Sequence, residues 1–161
     1  MVREEQGFSL IELLIVVAII LVIAAIAIPN LLRSRMAANE ASAVSAIRAI
    51  TTAEHAYAQT YPDVGYTCTL SELGPPGSGQ PPSATAAGIL DAVLASGTKA
   101  GYSFWVQGCT GDPKSNYQSV AVPMQVGGTG QRAFCSDGSG IIQFSDDGNP
   151  SNCISNRRVL Q

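Results

Sequence analysis

Between Phe8 and Ile28 the chain reads FSLIELLIVVAIILVIAAIAI, an apolar run with one carboxylate, Glu12, set inside it. Roughly twenty apolar residues are enough for a helix to cross a bilayer. No charged or strongly polar side chain occurs from Leu13 to Ile28. Whatever else the chain folds into, it must provide for this segment. A secretory signal peptide would have an apolar core of about 7–15 residues behind a basic start and before small residues at the cleavage point. Ala25 and Ala27 offer such small residues, but the run is longer, holds Glu12, and follows MVREEQG, where Glu4 and Glu5 outweigh Arg3. A plain membrane anchor leaves Glu12 without a purpose. A carboxylate inside a membrane helix costs about 2.5–3.5 kcal/mol on insertion scales, and such residues usually have a partner. No Lys, Arg or His follows Glu12 within two helical turns, and Arg3 lies outside the run. A cut after Gly7 supplies the missing cation. Phe8 would then carry a free α-amine, charged around neutral pH, one helical turn from Glu12 in its own chain and available to Glu12 of a neighbour.

Gly7-Phe8-Ser9-Leu10-Ile11-Glu12-Leu13-Leu14 before an apolar run resembles the signal of type IV prepilins and type II secretion pseudopilins. The resemblance covers about the first thirty residues. It implies cleavage between Gly7 and Phe8 by a prepilin peptidase, N-methylation of Phe8, and a Glu12 that neutralises the N-terminus of an adjacent subunit. It also implies a role for Pro29, where the helix can locally melt in the filament. Proline removes a helical hydrogen bond and clashes with the preceding turn, so a kink at the membrane boundary is the plainer expectation. An N-terminus in the cytoplasm is likewise implied by the resemblance. Arg33 and Arg35 follow the run, so charge counting gives no clean orientation.

The remainder suits one domain with one core. Charged residues are 13% of the 161, the net charge is -3, and no basic patch exists. Nucleic-acid binding therefore lacks electrostatic support. Cys68, Cys109, Cys135 and Cys153 all lie beyond the apolar run, none in a CxxC pair, and the single histidine, His55, is remote in sequence. A zinc site needs close-spaced ligands. Two disulfides in an oxidising compartment fit better. Three pairings are open; Cys68–Cys109 with Cys135–Cys153 is favoured, the second closing a short C-terminal loop.

Residues 30–61 continue a helical pattern, with Ala37, Ala41, Val44, Ile47, Ile50, Ala53, Tyr57 and Tyr61 forming one apolar stripe and Ser, Thr, Glu and Arg on other faces. Pro62 ends it, because the residue before proline is pushed out of helical geometry. The stretch 74–83 reads as a loop, Ala87–Ser96 as a short helix ended by Gly97. Tyr102–Gln107, Tyr117–Met124, Gln131–Cys135 and Ile141–Ser145 read as strands, separated by turns such as Gly111-Asp112-Pro113. The predicted fold is α+β, a long helix packed on a small antiparallel sheet. That agrees with the lollipop-shaped subunits the resemblance implies. The expected divisions are a leader at 1–7, an assembly helix at 8–29, an amphipathic helix at 30–61 and a loop- and strand-rich head at 62–161.

No catalytic set is visible. His55 stands alone, and Ser71-Glu72 and Ser136-Asp137 have no histidine at hand. Asp146, Asp147 and Asn149, with Asn152, make an oxygen-rich loop that is a weak calcium candidate, although Asp-Gly-Asn is ordinary turn chemistry. The expectation is a non-enzymatic filament subunit without a cofactor. It is held in membrane lipid as a bacterial inner-membrane precursor, then polymerised by an inner-membrane assembly platform into an extracellular or periplasmic homo-oligomeric helical filament. A pseudopilin of type II secretion is one alternative, and a membrane-anchored or secreted binding domain another.

Overall fold

The structure, a computed structural model, describes residues 8–156 and 158–160. Its longest element, α1, runs Leu10–Thr60. Two compact units divide within it, one ending at Arg35 and the other beginning at Met36.

In the first unit Ser9 immediately precedes the helix, and its carbonyl accepts the amide of Leu13 at 3.2 Å. Pro29 lies inside α1, with helix on both sides of it. The Asn30 side-chain amide donates to the Ile26 carbonyl at 3.1 Å, adding a bond in the turn that contains the proline.

In the second unit α1 buries Ala43, Ala46, Ile47, Ile50, Ala53 and Tyr57. The predicted stripe is right in its C-terminal half and rotated in its N-terminal half. Ala37 and Ala41 are exposed, Val44 and Tyr61 half-buried, and Glu40 and Glu54 are on the buried face. An apolar pattern assigns carboxylates to solvent; these two have hydrogen-bond donors waiting in the head.

Six strands follow in a simple antiparallel meander, β1 (Thr98–Lys99), β2 (Tyr102–Gly111), β3 (Lys114–Pro123), β4 (Ala133–Asp137), β5 (Gln143–Ser145) and β6 (Arg158–Val159). The period of two in β2 sends Tyr102, Phe104 and Val106 into the main core, where they meet the helix stripe, Tyr117, Ala121 and Phe134. Trp105 and Val120, paired across the ladder, point the other way. There they pack with Val122, Cys135, Cys153 and Ile154 under α4 (Pro150–Asn156). Cover on both faces explains why Ala133, Phe134, Cys135 and Ser136 are consecutive yet all buried.

The predicted strands exist with shifted ends. Asp112-Pro113 alone makes the turn between β2 and β3, so Gly111 pairs with Lys114 and both strands extend further than expected, with register shifts after Gln107. β4 starts at Ala133 because the amides of Gln131 and Arg132 are turned to Glu40. The helix expected over Ala87–Ser96 shrinks to α3 (Ala92–Ala95), capped by the Asp91 carboxylate accepting the Leu94 amide at 2.9 Å. Residues 87–90 instead donate to the carbonyls of Glu72, Leu73 and Gly74, beside the single turn α2 (Leu70–Leu73). α2, α4, β1 and β6 were not anticipated; each is short enough to depend on its tertiary neighbours.

Ile50 is fully buried in this core. Ile50→Ala is expected to cost the head about 2–5 kcal/mol in urea unfolding read by the fluorescence of Trp105. Ile23→Ala, on the exposed apolar helix, should leave that transition where it is.

Candidate functional site

From Phe8 to Leu32 the large apolar side chains of the first unit are all exposed, Leu10 at 80% and Val17 still at 46%. They face every direction around the helix axis. A helix apolar on all sides is stable only when lipid or other protein surrounds it. Within α1 this stretch is long and apolar enough to cross a membrane, and none of it is buried. Ala18 lies low between Leu10, Leu13, Leu14, Val17 and Leu21, leaving a shallow apolar groove along the helix. Small residues let another helix approach closely.

Glu12 is exposed in the first turn of this helix, and no salt bridge reaches it among the described residues. Ser9 and Glu12 also have the S-x-x-E spacing of a capping box, in which a glutamate serves the first free amides of a helix. A carboxylate in the first turn is further favoured by the helix dipole. That local reading was available in the sequence and was missed. Phe8 is the first described residue and is exposed; Gly7, Arg3 and the rest of the segment 1–7 lie outside the described residues.

In the head, Cys68 is bonded to Cys109 and Cys135 to Cys153, with Cα atoms 5.9 and 6.1 Å apart. The first disulfide fastens the segment after α1 to the far end of β2. The second fastens α4 to β4. His55 turns Nδ1 to the Tyr66 hydroxyl at 3.3 Å and packs edge-on to Tyr66 and Tyr117. Asp137 accepts the amide and hydroxyl of Ser139, as a turn residue does, and the buried Ser136 accepts at its carbonyl from the Ser119 hydroxyl. Ser71 lines a groove with Cys68, Gly97 and Phe104, within the single turn that also holds Glu72.

The loop singled out for calcium is committed to its own bonds. Asp146 pairs with Arg158, Asp147 accepts the Asn149 amide and the Asn152 side chain, and the Asn149 side chain accepts the Ser151 amide. Hydrogen bonds from Asn149 and Asn152 hold the exposed Asp147 carboxyl below its usual range. Among the described residues, no group of three His, Cys, Asp or Glu side chains is placed to share a metal ion.

Two carboxylates that the sequence pattern put on the surface hold α1 in the head. Glu40 accepts the amides of Gln131 and Arg132 on Oε1, at 2.9 and 3.1 Å, and the Arg132 guanidinium on Oε2 at 2.7 and 2.8 Å. Burial opposes its charge, but these donors outweigh burial and pull its pKa below the usual value. The Arg132 guanidinium lies over the rings of Phe134 and Phe144, and Arg158 over Phe144. Glu54 is fully buried, with Oε2 accepting the Thr67 amide at 2.9 Å. Burial pushes its pKa up to about 7, against the lowering effect of Thr67.

A family model described as the prokaryotic N-terminal methylation motif matches residues 2–28. The type IV wide pilus major component PilA4 of Thermus thermophilus is 60% identical over 38 residues, 24% of this chain and 29% of that protein. The type IV major pilin protein PilA of Myxococcus xanthus is 44% identical over 54 residues, 34% of this chain and 24% of that protein. The alignments thus span under a third of either relative. No solved structure matches the chain significantly.

Replacing Cys135 and Cys153 together by alanine is expected to lower the unfolding free energy by about 2–4 kcal/mol and expose α4 to protease first. Glu40 contributes stability that is present above about pH 4.5 and lost as pH falls through its lowered pKa. Glu40→Gln should therefore flatten the acid limb of a stability profile taken between pH 3 and 5.

Proposed function

We propose, for a chain whose N-terminal quarter resembles that of type IV pilins, that it is the structural subunit of a type IV pilus filament. The observation that carries this is the stretch of α1 from Leu10 to Leu32, with apolar side chains exposed around it and one carboxylate near its start. Such a surface asks for two environments in succession: lipid while the subunit waits, and the same helix of other copies once it is assembled.

The precursor would sit in the bacterial inner membrane. A prepilin peptidase would cut between Gly7 and Phe8 and methylate the new N-terminus. Methylation keeps the amine basic, so Phe8 still presents a cation at neutral pH. Packing among neighbours then gives Glu12 what lipid does not. In register, the carboxylate of one subunit meets the Phe8 amine of the next. Out of register, it is left unpaired in an apolar bundle, which is strongly destabilising. Apolar contact supplies adhesion without direction, and the ion pair supplies the register. Pro29 leaves the Ala25 carbonyl without its helical donor, making that turn the place where the helix would open if a filament stretched it. An inner-membrane assembly platform would drive polymerisation, and the finished filament would lie outside the cell. The role is mechanical rather than catalytic, and it uses no cofactor.

Glu12→Ala is expected to leave membrane insertion and cleavage intact and to abolish filaments. Filaments sheared from the native cells, weighed as intact protein, should contain a chain that starts at methylated Phe8 and gains about four hydrogens on reduction. Normal filament yield from the variant would remove the register mechanism. A chain beginning after Ala27 would remove the filament reading altogether. The correct mass confined to the membrane fraction would favour a pseudopilin.

A further inference from the structure

Glu54 has no place in filament assembly as described, and its surroundings are unusual. It is 0% exposed and has no cation at ion-pair distance among the described residues. Its partner is one residue, Thr67, in the segment that leaves the end of α1. The Thr67 amide donates to Oε2 at 2.9 Å, and the Thr67 hydroxyl oxygen lies 3.4 Å from Oε1. That hydroxyl has a single proton, and it lies closer, at 2.9 Å, to the Thr69 carbonyl, which can only accept. The Thr69 amide donates back to the hydroxyl oxygen at 3.0 Å.

Counting protons decides what this arrangement requires. With the Thr67 proton on the Thr69 carbonyl, the contact between Oε1 and the Thr67 oxygen joins two acceptors if Glu54 is ionised. If Glu54 is protonated, its hydroxyl donates to Thr67, Thr67 donates to Thr69, and every atom in the chain is served. Ionisation forces a choice between losing the Thr69 bond and leaving a buried carboxylate short of donors, and either weakens the segment.

Besides the burial of Leu70 and Leu73 in the core and the Tyr66 hydroxyl on His55 Nδ1, three contacts fasten the segment. The Thr67 contact is one. The backbone pairing of Val64, Gly65 and Tyr66 with Lys114 is the second, and the Cys68–Cys109 disulfide is the third. Of these three, only the first holds a carboxyl group. We propose that Glu54 and Thr67 form a proton-dependent latch, holding the segment 64–73 to the helix when the carboxyl is neutral and loosening it when the carboxyl is ionised.

The charges around Glu54 bear on the direction. Glu72 of α2 repels its charged form and Lys114 of β3 attracts it; the phenols of Tyr57 on α1 and Tyr117 on β3 also lie within its influence. Its helix neighbour His55 is turned to Tyr66 and Tyr117. Burial is the largest influence and raises the pKa from 4.5 to about 7. The folded state therefore holds a proton that the unfolded chain has lost between those values. The latch contributes its full stability below about pH 4.5 and loses it as pH rises through about 7. Glu40, whose pKa is lowered, changes stability only at more acid pH.

The test uses the full chain in non-ionic detergent micelles with both disulfides intact. Urea unfolding is read by Trp105 fluorescence between pH 5 and 8, and amide exchange is followed by mass spectrometry and corrected for its intrinsic pH dependence. The unfolding constant should rise on the order of 50-fold across that range. Protection should fall in residues 64–73 before it falls in β4. Glu54→Gln should give a flat profile and keep protection of 64–73 at pH 8. A flat profile for the native chain, an unchanged slope in the variant, or loss of β4 as readily as 64–73 would each overturn the latch. Should the variant fail to fold, carboxyl-carbon NMR titration of the native chain decides. Ionisation of Glu54 near neutrality supports the proposal, and ionisation in the ordinary glutamate range overturns it.

Discussion

The head depends on the seam between one face of α1 and one face of the sheet. Ile47, Ile50 and Tyr57 from the helix and Tyr102, Phe104 and Phe134 from the strands form a single buried cluster. Apolar burial at this seam is the main source of stability available to a domain so rich in loops. Removed from it, β1, β5 and β6, of two or three residues each, would have little reason to form. The segment between Thr60 and Thr98 likewise takes its place by adding Leu70, Leu73, Leu90 and Leu94 to the same core.

Polar groups fix how that seam is aligned. Hydrophobic contact is non-directional and tolerates sliding. Glu40 and Glu54 do not, because each must meet specific amides: those of Gln131 and Arg132 for one, that of Thr67 for the other. The Tyr57 hydroxyl adds a third fixed point by donating to the Ala84 carbonyl at 2.6 Å. The disulfides add covalent fastening, Cys68–Cys109 between the post-helix segment and β2 and Cys135–Cys153 on the far face of the sheet.

Under the proposed function the same logic extends to the first unit, with the partner outside the molecule. Its large apolar side chains stay exposed within one chain. Its one carboxylate meets no cation among the described residues. Apolar surface plus polar groups that fix register is the pattern by which α1 is held in the head. Under the proposed filament reading, the same pattern repeated between copies would let burial drive association and Glu12 select the alignment.

How much of this was legible depended on the range of the interaction involved. The apolar run, the stop at Pro62, the Asp112-Pro113 turn and the existence of β2 to β5 follow from patterns within a few residues, so the sequence alone determined them. The same holds for the N-terminal motif, whose residues are contiguous. The rotated stripe could not be read, because the signal for burying Glu40 sits some ninety residues away, at Gln131 and Arg132. Nor could the loss of the helix expected at Ala87–Ser96, whose amides are drawn to the carbonyls of residues 72–74. Tertiary structure alone decided that two carboxylates lie inside, that α4 covers the second face of the sheet, and where each strand begins. The physical reason is common to all of these: local pattern reports which side chains avoid water, while the partner that satisfies a buried polar group is chosen only when distant segments meet.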